Sequence, residues 1–225
     1  MYKDNFSIII PAHNEQATIR NCCLQFGAHQ RVSNVIVVAN DCSDMTCQEA
    51  TEGNAIVVET PQKGKGFAIK SGLKLATEEF VILLDGDIKN PSPEFTDRLI
   101  KGQTTNKECL VKGAFDRSKQ PGPVTDILVK PVLEIANHPA KVISQPLSGL
   151  VAVRKSFFEN LDLPNDFGID LAILLAAYQK GLPVKEVFLP TIEHRERPWS
   201  HYKFMALEVA KVFKNFQLIS ANKEW

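Results

Sequence analysis

No stretch of this chain approaches the roughly 20 consecutive apolar residues that a membrane-spanning helix needs, so no integral membrane segment is expected. An excess of one charge is missing too. Lysine plus arginine and aspartate plus glutamate each number 26, which removes the basic footprint of a nucleic-acid binder, and no nucleic-acid partner is expected. Cysteine is sparse. Cys22, Cys23, Cys42, Cys47 and Cys109 form an odd set without C-x-x-C spacing, which offers neither a zinc site nor a disulfide framework. Reduced, mostly buried thiols are expected, with a strained Cys42–Cys47 bridge as the sole disulfide option. The opening MYKDNFSIIIPAHNE lacks the charged, apolar and cleavage regions of a signal peptide, which makes the cytoplasm the expected location. Repeats, low-complexity tracts and obvious linkers are also absent, so residues 1–225 read as a single domain.

What is present is a rhythm. The runs FSIII (6–10), VIVV (35–38), AIVV (55–58) and FVILL (80–84) are short and continuously apolar, as suits strands covered on both faces of a parallel sheet. Helix candidates separate them at about Glu15–Phe26, Ser43–Glu52 and Gly66–Leu75, giving an α/β alternation. After Asp87 the rhythm loosens. Ser92 and Pro93 suit the cap and first position of another helix. A strand is expected at CLVKGAF (109–115), a loop at DRSKQPGP, and a helix over about Val124–Asn137 that Pro131 should kink. GLVAV (149–153) and VKEVFL (184–189) read as strands around a helix from Asp170 to Lys180. The C-terminal HYKFMALEVAKVFKNFQLI has helical spacing and is expected to pack on the domain's own core in preference to a membrane or dimer role, although a homodimer stays open.

Ligands of open α/β sheets sit beyond the carboxyl ends of the strands, and there the polar residues gather: PAHNE (11–15), NDCSD (40–44) and DGD (85–87). Asp85 and Asp87 are either ordinary turn chemistry or oxygen ligands for a hard divalent cation. Asn14, Glu15, Ser43 and Asp44 equally suit helix caps. In QKGKGFAIKSG (62–72), Lys65 can neutralise a diphosphate, while Gly64 and Gly66 would let the backbone approach a ligand and the helix start face the same anion. His194, following a strand, can reach the rim that carries Asp87 or remain a surface histidine.

SIIIPAHNE, NDCSDMT, GKG, DGD, QPLSGLVAVRKSFF, FGIDLAILLAAY and EHRERP occur in an order that resembles the GT-A glycosyltransferases, and within them the retaining glucosyl-3-phosphoglycerate synthases. The resemblance runs from about Ser7 to Phe213. It implies a Rossmann-like GT-A domain with a mostly parallel mixed sheet flanked by helices, in which about 1–90 binds the nucleotide and about 91–225 the acceptor. It implies Ala12, His13, Glu15 and Asn40 at the base and ribose, Lys65 at the diphosphate, and Asp85, Gly86 and Asp87 along the nucleotide sugar. Asp87 and His194 would ligate magnesium or manganese with Asp85 in the metal shell, Lys65 and Asp170 would be the catalytic pair, and Thr125, Leu147, Gly149 and Glu196 would line the acceptor side. Asp170 stands where the family carries glutamate, and its alternative role is the cap of the 170–180 helix.

The implied reaction moves a hexose from a nucleotide diphosphate sugar such as UDP-glucose to a small hydroxylated acceptor such as a glycerate or phosphoglycerate, with retention. Two departures bear on the acceptor. Pro123 and Glu196 stand where the family carries a phosphate-reading arginine and an asparagine, and Arg117, Arg154, Arg195 and Arg197 are the candidates to compensate. An inverting family 2-like transferase and a non-catalytic nucleotide-sugar binding module remain the alternatives.

Overall fold

The apolar runs of the first half become parallel strands because they have no polar face to give to water. In the computed structural model, which describes residues 4–105, 108–117, 122–195 and 197–219, β1 (Phe6–Ala12) lies between β2 (Val32–Asn40) and β4 (Phe80–Leu83). β3 (Ile56–Thr60) flanks β2, and all four strands run parallel. Alternation divides the side chains between two buried layers. Ile9, Ile36, Val38 and Leu83 meet α3 (Lys65–Leu75), while Ile8, Ile10, Val37 and Ile82 meet α1 (Ile19–Gly27) and α4 (Pro93–Thr105); α2 (Thr46–Glu52) follows β2. Each such side chain contributes roughly 1.5–3 kcal/mol on burial.

The second half extends the same sheet with β5 (Leu110–Ala114), β6 (Val151–Arg154) and β7 (Val184–Phe188), in the order β3-β2-β1-β4-β6-β5-β7. β6 is antiparallel to both neighbours and β5 pairs parallel with β7, so the seven-stranded sheet is mixed and mostly parallel, as expected. Ahead of α5 (Lys130–Ile135) the backbone widens into a π-helical turn, Thr125–Val129, in which the Lys130 amide donates to the Thr125 carbonyl. The widening accommodates Pro131, which has no amide hydrogen to give. α6 (Ile169–Gln179) is buried from Ile169 through Ala177, a helix apolar all round and enclosed accordingly. α7 (Trp199–Asn215) lays Val209, Val212 and Phe213 on the same core and leaves Trp199, Phe204 and Leu207 exposed.

Two helices start later than their sequence suggests, and the reason positions the site. Polar residues around the starts of α1 and α2 lock the two preceding loops together: the Ser43 amide donates to Asn14 Oδ1 at 2.8 Å, Gln16 N to Asp44 Oδ2 at 3.2 Å and Glu15 N to Thr46 Oγ1 at 2.8 Å, while Asp44 Oδ1 also accepts from the Thr46 amide at the start of α2, at 3.0 Å. Asn14 and Asp41 turn the chain with φ of 56° and 54°, a region in which Asn and Asp are enriched. All five cysteines are free thiols, Cys42 and Cys47 included. No helix among the described residues is long and apolar enough to cross a membrane.

Candidate active site

At the carboxyl ends of β1, β2 and β4 opens a cavity of about 740 Å³. One wall carries Ala12, His13, Glu15, Asn40 and Gly86, and the opposite wall Thr125 and Leu147. The first wall is braced by its own polar groups. His13 Nδ1 donates to the Asn40 carbonyl at 2.8 Å, Asn40 Nδ2 donates to the Gly64 carbonyl at 3.0 Å, and Thr18 Oγ1 holds the Gly86 carbonyl at 2.7 Å.

A buried charge cluster forms the floor. Lys65, the first residue of α3, places Nζ 2.8 Å from Asp85 Oδ1 and 2.6 Å from Oδ2 of Asp170, in the first turn of α6. Burial opposes the Lys65 charge, but the two carboxylates overcome it and raise its pKa; burial raises that of Asp170 despite Lys65. Gly149 belongs to this cluster through its missing side chain. A Cβ there would lie 2.5 Å from Lys65 Nζ and 2.7 Å from Asp85 Oδ1, so any larger residue would displace one member of the pair from this geometry. The cap of α6 is Gly168, whose amide donates to Asp166 Oδ1 at 2.9 Å, which frees Asp170 from that role.

One expectation needs correcting. The amides of Gly66 and Phe67 donate to the carbonyls of Asp166 and Asn165, so the start of α3 is bound to its own chain and does not face an anion. Gly64 and Gly66 permit that approach: a Cβ on either would meet a carbonyl oxygen of the 164–165 segment at 2.1 Å.

Beside the floor, a short antiparallel bridge between Ile88 and His194 brings the second pair together, with Asp87 Oδ1 3.3 Å from His194 Nδ1. Arg197 Nη2 spans Asp87 Oδ2 at 3.1 Å and Glu15 Oε1 at 2.8 Å, and Arg195 Nη1 donates to the Asn14 carbonyl at 2.8 Å. Burial works against ionisation of Asp87, yet His194 and Arg197 hold its carboxyl at about 2. Burial and the charge of Asp87 push Glu15 up against the pull of both arginines.

A carboxylate oxygen and an imidazole nitrogen suit magnesium or manganese in kind, and their separation is close to the roughly 3 Å between neighbouring ligands about 2.1 Å from an octahedral ion. Asp85 is engaged by Lys65, and the described residues contain no group of three His, Cys, Asp or Glu able to hold a metal. A cation here would therefore rely on ligand oxygens and water for its other positions, as magnesium commonly does.

Of the residues weighed for the acceptor, Arg117, Arg195 and Arg197 line the cavity. Arg154 does not: it pairs with Glu79 and Glu108 at the far end of β6. Glu196 lies outside the described residues. Sequence reasoning passed over Lys112, a fully buried lysine within β5 whose Nζ donates to the Ser148 carbonyl at 2.6 Å. Burial lowers its pKa to about 8. Nothing in VKGA distinguishes it from a surface strand lysine.

This geometry has close relatives. Glucosyl-3-phosphoglycerate synthase of Mycobacterium tuberculosis is 27% identical over 90% of this chain and 70% of its own length, and the protein of that name from Petrotoga mobilis is 26% identical over 92% and 71%. The crystal structure of the M. tuberculosis enzyme with Mn2+, UDP and glucosyl-3-phosphoglycerate superposes with a TM-score of 0.88 at 25% identity, covering 97% of this chain and 82% of the other. The profile of glycosyl transferase family 2 matches residues 7–124, more than half of the sequence. The chain thus belongs to glycosyl transferase family 2 and is a glycosyltransferase with the GT-A fold.

Proposed function

We propose that the protein transfers glucose from UDP-glucose to a small three-carbon hydroxy acid of the phosphoglycerate class, with retention, using magnesium or manganese. The observation that carries this reading is the convergence, in one cavity, of the Lys65–Asp85–Asp170 cluster and the Asp87–His194 pair. The relatives supply the substrates: a second structure of the M. tuberculosis enzyme, 25% identical, holds Mn2+, UDP-glucose and phosphoglyceric acid.

In this reading residues 1–90 hold the donor and 91–225 the acceptor. Ala12, His13, Glu15 and Asn40 border the base and ribose, with Asp85 and Gly86 below the ribose and diphosphate. Two of the three N–H groups of Lys65 are engaged by carboxylates, which leaves the third for a donor phosphate oxygen. Asp87 and His194 hold the divalent ion, which when bound neutralises charge on the diphosphate as it departs. Thr125, Leu147 and Gly149 face the acceptor.

Asp170 orients a hydroxyl; with Oδ2 held by Lys65 it is poorly placed to be the free general base that inversion requires. The acceptor proton then passes to the departing phosphate oxygen on the same face of the sugar, which favours retention. Dependence on a nucleotide sugar and five free thiols fit a cytoplasmic enzyme.

The test is a transfer assay with UDP-glucose, manganese and 3-phosphoglycerate or glycerate, reading the anomeric configuration of the product by NMR. An α-linked product that disappears with chelator supports the proposal. A β-linked product would establish inversion, and metal-dependent donor binding without turnover would leave a binding module.

A further inference from the structure

β5 is buried at every position from Leu110 to Ala114, and one of those positions is a lysine. Lys112 has no exposed surface, and among the described residues no carboxylate pairs with it directly; burial outweighs the more distant charges of Asp170, Glu186 and Asp85. Its Nζ donates to the Ser148 carbonyl at 2.6 Å. A buried ammonium with so little to hold it costs stability that an apolar side chain of similar length would not. The fold has no need of the charge, so its use lies in what it holds.

Ser148 belongs to a turn that two adjacent strands grip from opposite ends. Glu186 of β7 is the register partner of Lys112, and its carboxylate accepts from the Ser144 amide at 3.0 Å and the Gln145 amide at 3.1 Å. Inside the turn the Ser148 amide donates to the Gln145 carbonyl at 3.0 Å, and the Leu150 amide to Ser148 Oγ at 3.3 Å. An acid thus takes the amides where the turn begins, and a cation takes the carbonyl where it ends. Leu147 within it lines the cavity, and Gly149 just after Ser148 abuts Lys65 Nζ and Asp85. Slackening of the turn would pass directly to the Lys65–Asp85–Asp170 cluster. The wall with Ala12 and Asn40, by contrast, is carried by the ends of β1 and β2.

We propose that Lys112 and Glu186 are a positioning pair for sugar transfer: they clamp the 144–149 turn from its two ends and so fix Gly149 against Lys65 and Asp85. The proposal rests on the transfer reading above, but the clamp itself is also tested by geometry, without turnover.

The experiment compares crystal structures and steady-state kinetics of the wild type, Lys112→Met, Glu186→Ala and the double variant, with UDP-glucose, manganese and 3-phosphoglycerate. In Lys112→Met the 147–149 segment is expected to shift by about 0.5 Å or more, the tolerance within which a site must be held. Its kcat should fall by about tenfold or more, while calorimetric affinity for UDP with manganese changes less than about threefold. A lysine that only supported the fold would lower kcat and donor affinity in parallel. Because both residues hold one turn, the double variant should lose less than the product of the two single losses in kcat. A turn that keeps its place in Lys112→Met, an unchanged kcat, parallel losses or fully multiplicative losses would each overturn the proposal. Should Lys112→Met fail to fold, Glu186→Ala, at a half-buried position, decides by the same shift of the turn and the same split between kcat and donor affinity. A wild type without transfer would count against the transfer reading instead, and the place of the turn in the single variants would then decide the clamp.

Discussion

Lys65 and Asp170, 105 residues apart in sequence, meet at 2.6 Å on the floor of the cavity and tie the two halves of the domain at the site where the donor is expected to react. The contact is more than a brace. A buried ammonium facing two carboxylates is fixed in direction before any ligand arrives, which is what electrostatic stabilisation of a departing diphosphate requires.

Lys65→Met should lower kcat by roughly two to three orders of magnitude, the range seen when one such donor is removed. It also leaves Asp85 and Asp170 buried without their cation, so urea unfolding should register a loss of about 3 kcal/mol or more. Asp170→Asn, close in size, should lower kcat while changing donor affinity little. Equal losses in both quantities would recast Asp170 as a donor-binding group.

Gly149→Ala tests the packing of the same cluster. The added Cβ would intrude to 2.5 Å from Lys65 Nζ, so either the lysine or Asp85 must move. A fall of about tenfold or more in kcat/KM is expected, in keeping with the sensitivity of catalysis to small misplacements. Unchanged kinetics would mean that the lysine has no fixed geometry to lose.

Lys112 gives a pH dependence of stability with a definite sign. Its pKa is lowered from 10.5 to about 8 by burial, so the folded protein holds this proton less tightly than the unfolded chain. The resulting penalty is present in full below pH 8 and is relieved as the pH rises from about 8 toward 10.5. Between pH 8 and pH 9.5 the wild type should therefore gain roughly 1–2 kcal/mol relative to Lys112→Met in chemical unfolding. A difference that does not vary with pH would contradict a buried titrating ammonium.

The first half of the fold was legible because its strands are covered on both faces: FSIII and FVILL can hardly be anything but buried strands, and ligands gather where such strands end. Asp85, Asp87 and Lys65 stood out on that ground. The resemblance, rather than periodicity, carried Gly149 and Asp170, whereas His194 stood out only as a histidine after a strand; Asp170 and His194 meet the first half through contacts across more than a hundred residues. Three features were illegible. Asn14 binds the opposite loop and not the start of α1, and Asp44 divides its oxygens between that loop and the Thr46 amide, because a capping side chain is equally content with a neighbour's amide. Gly64 and Gly66 looked like a ligand cradle and prove to accommodate residues 164–166. Lys112 gave no signal, since burial of a strand lysine is decided by what packs over it.

The most direct test of the central claim is calorimetric titration of UDP-glucose into the wild type and into Asp87→Ala and His194→Ala variants, each with manganese and again with chelator. The account predicts that manganese tightens binding to the wild type by about tenfold or more, and that either substitution abolishes most of that gain, because each removes one of two protein ligands. Wild-type affinity that is the same with chelator as with manganese, or variants that keep the full metal-dependent gain, would contradict it.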